Sequence, residues 1–147
     1  MDLPRKPRPR DRIEIAIPGK RPHPAIVLRV NEAQSFMVVA TDTSAGSPDD
    51  EAPLLVVDKQ PLLGQLQLNP AKTTMFFPAF IHVMQWNGNV YEVRGKCPPG
   101  AFDKLMDGLD AVVAEVRAGR RKLSTIPVVA PALNEVFLAD ADGAEPR

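Results

Sequence analysis

One cysteine, Cys97, stands among 147 residues. The chain therefore forms no intrachain disulfide and no cysteine-built metal cage. No apolar run approaches the roughly 18 residues that a membrane-spanning helix needs. The Pro/Arg-rich start lacks the apolar core of a secretory signal. Together these absences predict a reducing compartment, the cytoplasm of the producing cell or of a host. Formal net charge is zero, so bulk charge selects no partner. No internal repeat is visible. What is present is ordinary for a globular chain of one domain: 44% hydrophobic and 24% charged residues, enough to bury a sizeable core without staples.

The charge that cancels overall is distributed unevenly. Residues 1 to 29 carry eight Lys/Arg against Asp2, Asp11 and Glu14. The last fifteen residues carry Glu135, Asp140, Asp142 and Glu145 against Arg147 alone. Residues 1–10, interrupted by Pro4, Pro7 and Pro9, read as a flexible basic arm. Residues 123–147, rich in Ala, Pro and acids, read as a mobile tail with one apolar island at Val136–Leu138. A folded body over 11–122 lies between them.

Within that body, Arg12–Ile17 alternates polar and apolar, the period of a half-buried strand. Ala25–Val30 and Phe36–Thr41 are near-continuous apolar strands with a hairpin between them. Ser44–Pro53 is a turn-rich acidic loop and Leu54–Val57 a short strand. Pro61–Leu68 fits one helical turn or an irregular strand equally well. Thr73–Phe77 and Phe80–Met84 form a strand bent at Pro78. Asn87-Gly88 signals a hairpin turn into a returning strand, Val90–Lys96. From Ala101 the apolar spacing becomes helical, through Phe102, Leu105, Met106, Leu109, Val112, Val113 and Val116, with Gly119 as the stop. The sum is mainly β: a small antiparallel barrel of about six strands, with a C-terminal amphipathic helix lying on it as a lid.

The chemistry gathers in two places. Lys20-Arg21-Pro22-His23-Pro24 leads into the second strand, and Thr41-Asp42-Thr43-Ser44 ends the third. Guanidinium, imidazole and hydroxyl groups suit a phosphodiester: arginine binds its oxygens, histidine moves protons near neutral pH, and hydroxyls donate hydrogen bonds. Other candidates carry plainer expectations. His82, between Ile81 and Val83, points away from them in a structural or exposed role. Phe76, Phe77 and Phe80 are core rather than a base-stacking platform, and Cys97 is a buried, inert thiol.

Four segments give the chain a resemblance to the PemK/MazF family of toxin endoribonucleases, small SH3-like barrels. They are Asp11–Gly19, then His23-Pro24-Ala25-Ile26-Val27-Leu28, then Val38–Ser44, and Arg94–Pro98 leading into Phe102–Val113. Their order and spacing carry the likeness across about residues 11 to 118. The chain departs from the family pattern at His23, where the family has its loop arginine, and at Pro78-Ala79, where it has an acidic-amide pair.

The resemblance implies RNA cleavage without metal or other cofactor. In that reaction the substrate's own 2′-hydroxyl attacks phosphorus, leaving a 2′,3′-cyclic phosphate and a 5′-hydroxyl. Carried over, the catalytic set is Arg21 as phosphate clamp, His23 for proton transfer, and Thr43 with Ser44 as hydrogen-bond donors. It further implies single-stranded RNA as substrate, an antitoxin protein as partner, and a homodimer. The departures leave a second reading open: a non-catalytic SH3-like module that binds nucleic acid or a protein.

Overall fold

The computed structural model describes residues 6–16, 23–32, 36–43, 51–57, 74–85, 90–121 and 124–126. The elements are β1 (Asp11–Ala16), β2 (His23–Asn31), β3 (Phe36–Thr43), β4 (Leu55–Val57), β5 (Thr74–Gln85), β6 (Val90–Lys96), α1 (Pro99–Arg117) and β7 (Ser124–Ile126). The fold is mainly β, six antiparallel strands in a curled half-barrel with one C-terminal helix. Strand order is β4-β5-β3-β2-β1-β6, and β7 pairs with β5 in parallel.

Both faces of the central strands are buried, which is why β2 and β3 read as apolar runs rather than alternations. Ile26, Leu28, Phe36, Val38, Ala40, Ile81 and Val83 share one cluster with Leu105, Met106, Leu109, Val112 and Val113 of α1. The helix packs this face as its spacing predicts, with Phe102 and Val116 at the margin. A Cβ on Gly108 would come within 2.6 Å of the Leu54 side chain, so glycine lets the helix settle close to the sheet at that point. The helix ends before Gly119, at φ +74°. Ile13, Ile15, Ala25, Val27, Met37, Val39, Met84 and Tyr91 form a second cluster. Its members come only from strands, from β5 around to β6, so on this side the sheet curls over itself and forms the concave face.

Three expectations meet a different outcome. The strand after the Asn-Gly signal, β6, runs antiparallel to β1 rather than returning along β5. Both edges of β5 are in use, by β3 on one side and by β4 and β7 on the other. Alternation identifies a strand but not its neighbour, and residues 86–89 lie outside the described residues. The basic arm is tied down at its end. Arg10 N–H donates to Val27 O at 2.9 Å, Cys97 N–H donates to Arg10 O at 2.7 Å, and Arg10 Nε donates to Cys97 O at 2.9 Å. These bonds hold Arg10 at φ +76°, a strained left-handed conformation for a non-glycine residue. Beyond the helix, Ser124–Ile126 rejoins the sheet as β7. The undecided segment 61–68 and the Val136–Leu138 island lie outside the described residues.

Candidate functional site

The described parts of the two chemistry-bearing segments, residues 23–24 and 41–43, lie at one end of the concave face. His23 opens β2 and pairs with Ile15 of β1. It alternates with Ala25 and Val27, both members of the concave cluster. On the other side β2 pairs with β3 through Ala25↔Thr41. That pair ends the β2–β3 ladder, and His23 and Thr43 each lie two residues beyond it. Both residues are half-buried, at the rim. Arg21 and Ser44, the other two members of the sequence-derived set, lie outside the described residues.

A second layer lies beneath the rim. Along β3 the same alternation carries Thr41, buried at 5% exposure. His82 of β5 pairs with Val39 and so shares the concave face. It points away from Ile81 and Val83, as alternation predicts, yet it is half-buried rather than exposed. Thr41 Oγ1 donates to the Phe80 carbonyl at 3.3 Å and lies 3.2 Å from His82 Nε2. A hydroxyl has one proton to give. If Phe80 O receives it, His82 must carry its own proton on Nε2 and donate to Thr41. His82 Nδ1 then bears a lone pair, and it is buried without a hydrogen-bond partner among the described residues. The opposite tautomer would sacrifice the bond to Phe80 and bury an orphan N–H, so the Nε2–H form satisfies more groups. Burial, reinforced by the charge of His23, lowers the His82 pKa to about 4, which keeps the ring neutral at physiological pH.

Asp42 stands on the other face at the same end. It follows Ala40 and pairs with Phe76, both in the helix-side cluster. Its Oδ1 is buried without a hydrogen-bond partner among the described residues. Desolvation raises its pKa, opposed by a backbone hydrogen bond and by the charges of His23 and Arg12. Arg12 is itself buried, 4% exposed. Its Nη1 donates to Ile13 O at 3.3 Å and lies 3.6 Å from Glu14 Oε1. Arg94 sits 3.5 Å from Glu14 and 2.9 Å from Glu92. Glu14 and Glu92 are direct cross-strand partners, and the two arginines offset their repulsion.

The end of the sheet thus carries His23 and Thr43 at the rim, Thr41 and His82 below, and Asp42 on the opposite face. Sequence reasoning named the first pair as candidates and did not name the other three. One signal was present: His23 and His82 are the only histidines, and both sit on strands at period-two positions. What the sequence did not carry was the register that sets them on one face. Of the aromatic group expected in the core, Phe80 is half-buried. Phe76 and Phe77 are buried, at 2% and 4% exposure, and Phe77 meets Phe80 edge-to-face at 6.3 Å. Cys97 is buried, and desolvation pushes its thiol up to about 11, far from a reactive thiolate. Among the described residues, no three His, Cys, Asp or Glu side chains gather as a metal-ligand set, and no helix is long and apolar enough to cross a membrane.

No family model matches the chain, and no curated protein matches it in sequence. Among solved structures, a chain of the MazE-MazF crystal structure (Form-II) from Deinococcus radiodurans is similar, with a TM-score of 0.54 at 15% identity. The match covers 73% of this chain and 94% of that one. At that identity the likeness is one of fold, and at the level of fold it agrees with the resemblance drawn from the four sequence segments.

Proposed function

We propose that this chain is a PemK/MazF-like endoribonuclease of a toxin–antitoxin system, cleaving single-stranded RNA without a metal. The observation that supports this reading most is that β2 begins at His23 and β3 ends at Thr43, each two residues beyond the pair Ala25↔Thr41. On this reading Arg21 clamps the scissile phosphate, and Thr43 and Ser44 donate hydrogen bonds to its non-bridging oxygens. His23 serves proton transfer. The 2′-oxygen loses its proton as it bonds to phosphorus, and the 5′-oxygen gains one as its bond to phosphorus breaks. The products are a 2′,3′-cyclic phosphate and a 5′-hydroxyl. Positioning the 2′-oxygen in line with the leaving group supplies much of the acceleration, and acid–base assistance adds about 10²–10⁴-fold. A cytoplasmic homodimer held in check by an antitoxin completes the proposal.

The test is incubation of the purified chain with single-stranded RNA in excess chelator, beside the same oligonucleotide with 2′-deoxy sugars. Cleavage of the RNA alone, with cyclic phosphate ends, is expected. Intact RNA at high protein concentration would reject the reading. A non-catalytic nucleic-acid or protein-binding module is the competing reading. It is motivated by the departures from the family pattern at His23 and at Pro78-Ala79.

A further inference from the structure

We propose that His82 is a positioning residue for the proposed cleavage: through its Nε2–H bond to Thr41 it fixes the end of β3 that carries Thr43. The inference rests on the nuclease reading for its functional half and on hydrogen-bond geometry alone for its structural half.

The argument starts from a gap in the ladder. β3 and β5 pair regularly from Phe36↔Gln85 to Ala40↔Ile81, and pairing resumes only at Asp42↔Phe76. The intervening residues of β5, around Pro78, form a bulge. Thr41 therefore has no β5 residue opposite it in the ladder. It is also the last residue of β3 paired to β2, through Ala25. The two residues that follow, Asp42 and Thr43, lean on β5 beyond the bulge, at Phe76 and Met75.

Side-chain bonds stand in for the missing ladder at this point. Thr41 Oγ1 donates to Phe80 O and accepts from His82 Nε2. This places both bulge-side anchors of β3 on a single hydroxyl. A ring that was free to flip would put Cε1 in the place of Nε2 and break the chain of bonds. Nδ1 is buried without a hydrogen-bond partner among the described residues, so the bond from Nε2 is what orients the ring. His82 reaches no further than Thr41 in this network and has its remaining nitrogen buried. Its part is to hold the rim, not to touch the RNA.

Glutamine and leucine separate this role from simple packing. The side-chain amide of glutamine offers an N–H donor in place of Nε2–H, and leucine fills similar space without one. In the RNA assay, His82→Leu is expected to lower kcat roughly 10–100-fold with KM within about twofold, since misplacement of the rim affects alignment rather than binding. His82→Gln is expected to recover most of the rate. Thr41→Val, which removes the bonds to both His82 and Phe80, is expected to cost at least as much as His82→Leu. Equal rates for His82→Leu and the wild-type chain, or equal losses for His82→Leu and His82→Gln, would overturn the positioning role.

Absence of cleavage by the wild-type chain would instead remove the nuclease reading. The structural half then stands on nitrogen-15 NMR of the full chain at neutral pH. A protonated Nε2 and an unprotonated Nδ1 on His82 are expected, with the Nε2 resonance moved by Thr41→Val. The opposite tautomer, or no response to Thr41→Val, would overturn it.

Discussion

The two buried faces of this sheet are built differently at their margins. On the helix-covered face, Leu105, Leu109 and Val112 close over Ile26, Leu28 and Val38, and nearly every buried group is apolar. The concave face is also apolar at its centre, through Ile13, Val27 and Val39. At the end where β2 starts and β3 stops, however, it gives way to His23, Thr41 and His82. His82 Nδ1 is buried there without a hydrogen-bond partner among the described residues, as is Asp42 Oδ1 behind it on the helix-side face. The first arrangement maximises burial. The second accepts desolvated polar groups, an arrangement with a stability cost that a functional site can justify. The molecule thus separates what holds it together from what is proposed to act.

Variants on the two sides should therefore fail in different ways. The largest loss of stability is expected from Leu105→Ala. Truncating a side chain with 0% exposure at the centre of the helix-side core should cost about 2–5 kcal/mol in denaturant unfolding. RNA cleavage by the fraction that remains folded should be unchanged. A cost below about 1 kcal/mol would mean that the helix packs more loosely than described.

Acid titration examines the other side. The His82 pKa of about 4 lies below the ordinary 6.5. Between those values the unfolded chain binds a proton that the folded chain refuses. Stability is then complete above about 6.5 and falls with pH toward 4, by roughly 3 kcal/mol in the limit. His82→Gln should flatten this slope. Asp42 acts in the opposite sense in more acid solution. Its raised pKa favours the folded state below 3.8, and that contribution is lost as pH rises through the folded value. An unfolding free energy independent of pH between 6.5 and 4 would contradict the buried, neutral assignment of His82.

Two cations sharpen the comparison from the outside. Arg121, 15% exposed, binds Glu51 ahead of β4 and Glu115 of α1. Arg121→Ala is expected to cost about 1–2 kcal/mol, since it strands two partly buried carboxylates. Lys6 and Glu32 meet at 3.9 Å with both side chains about two-thirds exposed. Lys6→Ala should change stability by less than about 0.5 kcal/mol. A reversed order in thermal melts would show that burial does not rank these pairs.

Periodicity alone recovered the strands and the helix because their packing follows local spacing: Ile13 and Ile15 at period two, Leu105, Leu109 and Val112 at helical period. It did not recover strand partnership. β6 lies against β1 through pairs such as Ile15↔Tyr91, a choice made by the curl of the whole sheet rather than by the Asn-Gly turn signal. The second layer of the site was hidden for a related reason. His82 meets Thr41 because the β3–β5 register pairs it with Val39, and a register between strands some forty residues apart leaves no local trace. β7 was equally hidden, as a three-residue parallel strand has too little sequence to show a period.

The most direct test of the separation between scaffold and site is the double variant His23→Ala/Thr43→Ala, assayed for RNA cleavage in chelator and for unfolding in parallel. Removing the imidazole and hydroxyl from the rim is expected to lower cleavage by about 100-fold or more while unfolding moves by less than about 1 kcal/mol. Undiminished cleavage, or a loss of activity that merely follows a loss of folded protein, would contradict the assignment of this rim as the reactive end of the barrel.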